Sequence, residues 1–164
     1  MSGYHYYYNQ REANFGAPAQ EELSGGTHLT FDVILHQGPT LYSLRRPDGL
    51  HDGPKNSLYF PHGLIRFGES VHDCANRLAL EQAGVPVVRT NLYTMPTWVD
   101  DNNHWHIALN VLAQVERKPE PSADVSEVVE VQADDFPADF AWWTREQMSA
   151  LLAFTTRLVS VLDS

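Results

Sequence analysis

One continuous stretch, residues 61–85, constrains the fold of this chain more than any other. It reads PHGLIRFGESVHDCANRLALEQAGV, with two glycines before a helical run and one glycine near its end. Ser70 is a good N-cap residue, and Glu69 places a negative charge near the unpaired amides of the first turn. Gly84 suits the position that follows the last turn of a helix. The stretch therefore predicts a loop followed by a helix over residues 70–83.

Apolar residues recur along this helix at helical spacing and predict its buried face. They are Val71, Cys74, Ala75 and Leu78, and the polar residues on the other side are His72, Asp73, Asn76 and Arg77. Cys74 is the single cysteine of the chain, so an intramolecular disulfide is excluded. Its place on the apolar face favours an inert, buried thiol.

The polar residues of the same stretch follow a fixed spacing. Gly63 is separated by five residues from Glu69, and Glu69 by seven residues from Arg77. Glu81 and Gly84 follow, with a bulky aliphatic residue last. This spacing resembles the box of the Nudix hydrolase superfamily, G-x5-E-x7-R-E-U-x-E-E-x-G-U, where U is a bulky aliphatic residue. We refer to residues 61–85 as the box.

Three positions of the box depart from the family pattern. Leu78 and Gln82 stand where the family has glutamates, and His62 stands where it usually has the first glycine of a pair. In the family, the helix acids hold Mg²⁺ or Mn²⁺ against a diphosphate, because hard cations prefer oxygen ligands. The resemblance implies a weakly bound ion here, with Glu81 as the central ligand, Gln82 as a neutral ligand and the His62 carbonyl as a backbone ligand.

Acids and arginines outside the helix complete the predicted site. Nudix enzymes commonly draw a further metal ligand or a general base from the region near the last strand, where this chain has Glu127 and Glu130. The alternative is an edge strand with solvated acids. By the resemblance, Arg45 and Arg46 end a strand that runs toward the cleft, and either can contact a substrate phosphate, unless both are solvent-facing charges. Arg66, in the box loop, is predicted to bind substrate too.

Periodicity elsewhere predicts a fold with both strands and helices. The predicted strands cover residues 29–36, 41–46, 58–60, 87–98 with an interruption near Pro96, 104–116 and 125–131. A capping-box pattern at Thr144 and Gln147 predicts a final helix that runs to about Leu162. Its predicted packing face is Met148, Leu151, Leu152, Thr155, Leu158, Val159 and Leu162. The fold class is α/β (α+β), and the resemblance implies a Nudix-like α/β/α sandwich around a mixed β-sheet.

The chain is predicted to contain one domain preceded by an extension. Residues 1–26 combine tyrosines with turn-forming residues and form the extension, and residues 27–164 form the domain. The tyrosines are Tyr4, Tyr6, Tyr7 and Tyr8. The extension is expected to pack on its own domain or on the second subunit of a homodimer, and the alternative is that its tyrosines stack on a ligand.

Charge and composition narrow the classes of partner. The chain has 164 residues, 43% of them hydrophobic and 20% charged, and a formal net charge of −10. Such a charge argues against double-stranded nucleic acid as a partner, because no basic stripe is available to displace counterions from phosphates. The sequence contains neither an 18-residue apolar run nor a signal pattern at its N-terminus. We expect a cytoplasmic protein without a membrane partner.

Two histidines on the longest predicted strand raise a different kind of metal site. His104 and His106 are two residues apart and therefore lie on the same face of the strand. A cupin-type site would add an acid three or four residues later, where this chain has Leu109 and Asn110. The alternative is a pair of histidines that line a cleft or lie on the surface.

The sequence thus leads to three hypotheses about function. The first is a Nudix-type hydrolase, in which a metal assists the attack of water on phosphorus in a nucleoside diphosphate linked to another moiety. The loss of two box acids is expected to weaken or abolish this activity, since each carboxylate contributes to cation affinity. The second is a non-catalytic Nudix-fold module that binds a nucleotide-like ligand or a protein partner. A His-based metal enzyme is the third.

Overall fold

The computed structural model describes residues 26–47, 56–132 and 137–162. Outside these ranges lie the tyrosines of the N-terminal extension, residues 48–55 between the second and third predicted strands, residues 133–136 and residues 163–164. The predictions that concern those segments, including the N-terminal domain boundary, stay predictions.

Eight strands and two helices are formed by the described residues. They are β1 (Gly26–Gln37), β2 (Thr40–Arg45), β3 (Leu58–Tyr59), β4 (His62–Leu64), α1 (Val71–Ala83), β5 (Val87–Thr94), β6 (Thr97–Val99), β7 (His104–Val115), β8 (Glu127–Val131) and α2 (Arg145–Leu162). Each strand predicted from periodicity is present, and the interruption expected near Pro96 separates β5 from β6. The short strand β4, inside the box, was not predicted.

All the strands belong to one mixed sheet, with the order β3-β2-β1-β7-β5. β1 and β7 pair in parallel along nearly their whole length, from Gly26 opposite His104 to His36 opposite Gln114. β4 pairs with β1, β6 pairs with β7, and β8 pairs with β2, each antiparallel. The long parallel pair therefore brings equivalent positions of β1 and β7 side by side at the centre of the sheet.

Alternation along these two strands gives the sheet two apolar faces, each covered by a helix. Odd-numbered residues such as Phe31, Val33 and Val111 pack in one cluster with α1. Even-numbered residues such as Ile34 and Leu112 pack in a second cluster with α2. The α/β/α sandwich implied by the family resemblance is confirmed.

The box helix α1 begins and ends as predicted, with one addition at its start. The Ser70 hydroxyl accepts a hydrogen bond from the Asp73 amide, and the Asp73 carboxylate accepts one from the Ser70 amide, which completes a capping box. Gly84 has φ +66°, a left-handed conformation that costs glycine little. Cys74 is buried, and burial raises the pKa of its thiol to about 11, as an inert thiol requires. Val71 is 38% exposed, so its predicted place on the buried face was wrong.

The final helix α2 starts at the predicted capping box. The Thr144 amide donates to Gln147 Oε1, and the Gln147 amide donates to Thr144 Oγ1. Of the predicted packing face, the buried residues are Met148, Leu151, Leu152 and Thr155, with Leu158 and Val159 partly buried. In the part of the chain that the structure describes, neither helix is long and apolar enough to cross a membrane.

Candidate active site

The loop of the box is held against α1 by an ion pair between Glu69 and Arg77. Arg77 Nη2 lies 2.9 Å from Glu69 Oε2, and Arg77 Nε donates to the other carboxylate oxygen. The hydrogen bonds from Arg77 lower the pKa of Glu69 to about 2. The Arg66 amide also donates to Glu69, at 2.8 Å. The pair of Glu69 and Arg77 therefore fixes the path of the loop.

The remaining box acid, Glu81, faces two arginines at the surface. Glu81 Oε1 lies 3.4 Å from Arg66 Nη2, and Oε2 lies 3.3 Å from Arg77 Nη1. The Glu81 side chain is 48% exposed, so the carboxylate is open to solvent. Arg66, predicted to bind substrate, and Glu81, predicted to bind metal, are thus direct neighbours.

The Gln82 side chain is paired with the backbone of His62. The His62 amide donates to Gln82 Oε1 at 3.1 Å, and Gln82 Nε2 donates to the His62 carbonyl at 2.6 Å. In this arrangement both oxygens that were predicted to bind metal accept hydrogen bonds. A cation at this point would have to displace the Gln82 amide from the His62 carbonyl.

The second departure from the box pattern, Leu78, is part of the hydrophobic core. Leu78 is 2% exposed and packs in the cluster beneath α1. A Cβ atom added to Gly63 would lie 2.8 Å from Leu78 Cδ2, so the glycine lets β4 lie directly on this side chain. The lack of a side chain at Gly63 therefore makes room for the Leu78 side chain.

A small cavity of about 150 Å³ lies beside Glu81 and Gln82. Its other lining residues are Arg46 and Asp124. Arg46 Nε donates to the Tyr59 hydroxyl at 2.7 Å, and its guanidinium lies 4.8 Å from the centre of the Tyr59 ring. Arg46 and a second carboxylate, from Asp124, thus border the same space as the box acid.

The other predicted site residues are engaged in ion pairs on β2 and β8. Arg45 lies 2.8 Å from Glu127 and 2.9 Å from Asp139, while Glu130 lies 2.7 Å from Lys118. None of these five residues lines the small cavity beside Glu81 and Gln82. The structure therefore brings Glu81, Gln82, His62, Arg46 and Arg66 together, whereas Arg45, Glu127 and Glu130 are paired with other residues and do not line the small cavity.

A larger cavity of about 600 Å³ opens on the α2 side of the sheet. Its polar lining comes from the adjacent strands β1 and β7, with His62 from β4 and Gln147 from α2, and its tryptophans come from β6 and the segment before α2. The lining residues that matter below are Asp32, Asn110, Trp98, Trp142 and Trp143. This combination of flat apolar walls and a few polar groups is typical of small-molecule sites.

Asp32 and Asn110 occupy paired positions on β1 and β7, at the floor of this cavity. Burial raises the pKa of the Asp32 carboxyl to about 6, against a smaller lowering effect of a hydrogen bond with Trp143. Asn110 Nδ2 donates to Thr94 Oγ1 at 2.8 Å, while Asn110 Oδ1 is buried without a hydrogen-bond partner among the described residues. The floor thus offers a titratable carboxyl group and an unsatisfied acceptor, which together suit a ligand with polar ring edges.

Strand β4 separates the larger cavity from the box helix and contacts both. All three of its residues, His62, Gly63 and Leu64, line the cavity. On its other side, the His62 backbone pairs with Gln82, and the Leu64 carbonyl accepts a hydrogen bond from Arg77 Nη2 at 3.0 Å. The cavity and Glu81 therefore lie on either side of one short strand.

Sequence reasoning missed Asp32, Asn110 and Asp124. A signal existed for Asp32, since it is the one acid within the apolar run LTFDVILH. Asn110 is likewise a polar residue in the buried part of β7. Asp124 lies in a loop without periodicity, and the sequence carried no signal that would place it next to Glu81.

Comparisons with known proteins agree with this architecture. The sequence model described as NUDIX domain matches residues 26–152. A search of curated proteins finds no match.

Solved structures with the same fold include three bacterial proteins. A MutT NUDIX hydrolase from Burkholderia pseudomallei is 17% identical, with a TM-score of 0.60 over 74% of this chain and 95% of that chain. A NUDIX hydrolase from Nitrosomonas europaea is 17% identical, with a TM-score of 0.56 over 80% and 89%. An ADP-ribose pyrophosphatase from Streptococcus suis is 15% identical, with a TM-score of 0.54 over 79% and 92%. At these identities, the similarity shows the fold.

Proposed function

The chain belongs to the NUDIX domain family, and we propose that it hydrolyses the diphosphate linkage of a nucleoside diphosphate joined to another moiety. In this reaction a water oxygen forms a bond to one phosphorus, the bond from that phosphorus to the bridging oxygen breaks, and the water proton passes to a base. The observation that carries the proposal is the position of β4 between the larger cavity and Glu81. A nucleoside in the cavity would extend its diphosphate across β4 toward Glu81.

The larger cavity has the groups that a nucleobase requires. Trp98 and Trp142 provide flat apolar surfaces for stacking, and each is close to half exposed. The buried Asn110 Oδ1 would accept a hydrogen bond from a ring or exocyclic N–H. Asp32 would donate a hydrogen bond when protonated and accept one when ionised, which makes base binding dependent on pH near its raised pKa of about 6.

The residues beside Glu81 fit a hard divalent cation in part. Glu81 and Asp124 offer carboxylate oxygens on the wall of one small cavity, as Mg²⁺ or Mn²⁺ prefers. The Gln82 amide and the His62 carbonyl fit less well, because they are already hydrogen-bonded to each other. When bound, such an ion would neutralise charge on the diphosphate and lower the pKa of a bound water. We propose Glu81 and Asp124 as its principal ligands, with weak affinity.

The arginines near Glu81 would orient the diphosphate. Arg46 borders the small cavity and Arg66 pairs with the Glu81 carboxylate, so both can reach phosphate oxygens in the surroundings of Glu81. Arg45 is already held by Glu127 and Asp139. Glu127 and Glu130 stay candidates for the general base, whereas Asp124, on the wall of the small cavity, is proposed as a metal ligand.

A panel of substrates tests the proposal. The panel contains nucleoside diphosphate sugars, ADP-ribose, dinucleoside polyphosphates and deoxynucleoside triphosphates, each assayed for product by chromatography with Mg²⁺ and with Mn²⁺. We expect metal-dependent cleavage of at least one diphosphate linkage. Glu127→Gln and Glu130→Gln then identify the general base, since its removal typically costs about 10²- to 10⁴-fold in rate.

A non-catalytic binding module is the second candidate function. Two observations favour it. At two positions where the family pattern has glutamates, Leu78 is packed in the core and Gln82 is hydrogen-bonded to the His62 backbone. This candidate predicts that a nucleotide of the panel raises the melting temperature without being cleaved.

Cytoplasmic location and a homodimer formed through the N-terminal extension are further parts of the proposal. Fractionation of the native cells tests the first, and light scattering tests the second.

A further inference from the structure

A cluster of metal-ligating side chains lies on the α2 side of the sheet, opposite the face that the box helix α1 covers. Asp100, His104 and His106 each offer one ligand atom, and the three atoms lie within 4.8 Å of one another. His106 Nε2 is 3.0 Å from Asp100 Oδ2, and His104 Nδ1 is 3.1 Å from the same oxygen. We call these three residues the Asp–His cluster.

The hairpin between β6 and β7 holds this cluster in place. His104 and His106 alternate onto one face of β7. Asp100 lies in the hairpin turn, where its Oδ1 accepts hydrogen bonds from the amides of Asn102 and His104, each at 2.9 Å. Asn103 has φ +59°, a left-handed conformation that closes the turn. The carboxylate is therefore aimed back at the two imidazoles by the turn itself.

Aromatic rings support both imidazoles from outside the cluster. His28, on β1, stacks on His104 with 4.6 Å between ring centroids and meets His106 edge-on at 5.0 Å. Trp98, on β6, stacks on His106 at 4.8 Å with an interplanar angle of 4°. The ring planes are thus restrained, because each of the two imidazoles packs against a ring on another strand.

We propose that the Asp–His cluster binds a divalent transition-metal cation of the Zn²⁺ class, at a site separate from Glu81. Two imidazoles and one carboxylate suit Zn²⁺, Co²⁺ or Ni²⁺, because nitrogen ligands favour these ions over Mg²⁺. Ligands about 2.0 Å from a tetrahedral Zn²⁺ are about 3.3 Å from one another, close to the two distances of 3.0 and 3.1 Å that join the histidine nitrogens to Asp100 Oδ2. Three protein ligands leave one position of a tetrahedral ion for water or another ligand.

The position of the cluster separates it from Glu81 and connects it to the larger cavity. The even-numbered face of β7 that carries His104 and His106 also carries Asn110 at the cavity floor, whereas α1 covers the opposite face. Trp98 both stacks on His106 and lines the cavity. An ion bound to His106 would hold this imidazole in place, and with it the Trp98 ring that stacks on it. The ion would therefore set the position of one wall of the cavity.

Binding of Zn²⁺ and Co²⁺ to the purified full-length chain tests this proposal. Titration calorimetry with ZnCl₂ is expected to show one tightly bound ion per chain, apart from weak binding at Glu81 and Asp124, and CoCl₂ is expected to give the visible absorption of a tetrahedral site. His106→Gln and Asp100→Asn should each lower the affinity by at least about tenfold. The asparagine side chain of the second variant can still accept the turn hydrogen bonds, so the hairpin is expected to fold, which circular dichroism checks.

Two controls separate this site from other histidines and from the box. His72→Ala removes an exposed histidine on α1 and should leave Zn²⁺ affinity unchanged. Glu81→Gln should also leave it unchanged, whether or not the chain proves to be a hydrolase. The proposal is overturned if the wild-type chain binds no Zn²⁺ or Co²⁺, or if folded His106→Gln and Asp100→Asn variants bind both ions as tightly as the wild type. The cluster is then a hydrogen-bonded group of two histidines around one carboxylate.

Discussion

The Gln82 side chain and the His62 backbone exchange two hydrogen bonds, with the His62 amide donating to Gln82 Oε1 and Gln82 Nε2 donating to the His62 carbonyl. The pair joins the last turns of α1 to the first residue of β4. A glutamate at position 82 could accept the first bond but could not donate the second. Where the family pattern has a glutamate, the glutamine thus forms a direct link between the helix and the strand.

We expect Gln82→Glu to destabilise the metal-free chain and to increase its response to Mg²⁺. The variant places two oxygens opposite each other at the His62 carbonyl, and a lost hydrogen bond of this kind costs about 1 to 3 kcal/mol. A cation between the two oxygens would offset that cost. Urea denaturation with and without Mg²⁺ measures both effects.

Gln82→Ala is the control for that variant, because it removes the link without adding a charge. It should lower the free energy of unfolding by a similar amount and show no gain with Mg²⁺. Equal Mg²⁺ responses of the two variants would show that position 82 does not face a cation site.

The raised pKa of Asp32 predicts how stability depends on pH. Because the folded chain binds the Asp32 proton more tightly than the unfolded chain, this carboxyl contributes stability below about pH 4 that is lost as pH rises to about 6. A shift of about two pKa units corresponds to at most about 3 kcal/mol. Asp32→Asn should therefore be relatively more stable than the wild type at neutral pH, and urea denaturation across this range measures the difference.

A pH-independent difference between Asp32→Asn and the wild type would contradict the raised pKa. The same substitution should remove the pH dependence of ligand affinity near pH 6, the raised pKa, if Asp32 contacts the bound ring. Isothermal titration with the best ligand of the substrate panel provides that second readout.

The ion pair of Glu69 and Arg77 predicts a pH dependence of opposite sign. The pKa of Glu69 falls from its usual value near 4.5 to about 2, so the stabilisation is present above the usual value and is lost as pH falls toward 2. Glu69→Gln should be less stable than the wild type at neutral pH, and the two melting curves should converge in acid. Glu116→Gln, at an exposed position, should follow the wild type throughout.

The close contact between Gly63 and Leu78 predicts a coupling between two substitutions. Gly63→Ala adds a methyl group that would lie 2.8 Å from Leu78 Cδ2, and overpacking of this kind costs about 1 to 3 kcal/mol. Leu78→Ala removes the opposing atoms, so Gly63→Ala should cost less in that background. A double-mutant cycle of unfolding free energies measures the coupling, and strict additivity would contradict the packing described here.

The box fold was predictable because local and tertiary signals agree within residues 61–85. The N-cap at Ser70, the left-handed Gly84 and the spacing of Glu69 from Arg77 each have a local physical cause, and each is present in the structure. The predicted burial of Val71 was wrong because periodicity places a residue on a helix face but does not show whether the sheet covers the first turn of the helix.

The surroundings of Glu81 were less predictable, because they depend on contacts distant in sequence. Asp124 comes from a loop after β7, and Asp32 and Asn110 meet only because β1 and β7 pair in parallel. Neither the register of that pair nor the path of the loop follows from periodicity. The same holds for Asp100, which precedes the two histidines that the sequence identified.

The most direct test of the central claim is the rate of diphosphate hydrolysis by Glu81→Gln, measured on the best substrate with saturating Mg²⁺ or Mn²⁺. Glu116→Gln is the matched control, an exposed glutamate that lines none of the described cavities. We predict that Glu81→Gln lowers kcat by at least about 100-fold and that Glu116→Gln retains wild-type activity. Wild-type kcat in Glu81→Gln, or no turnover by the wild-type chain with any substrate and either metal, would contradict a hydrolase centred on Glu81.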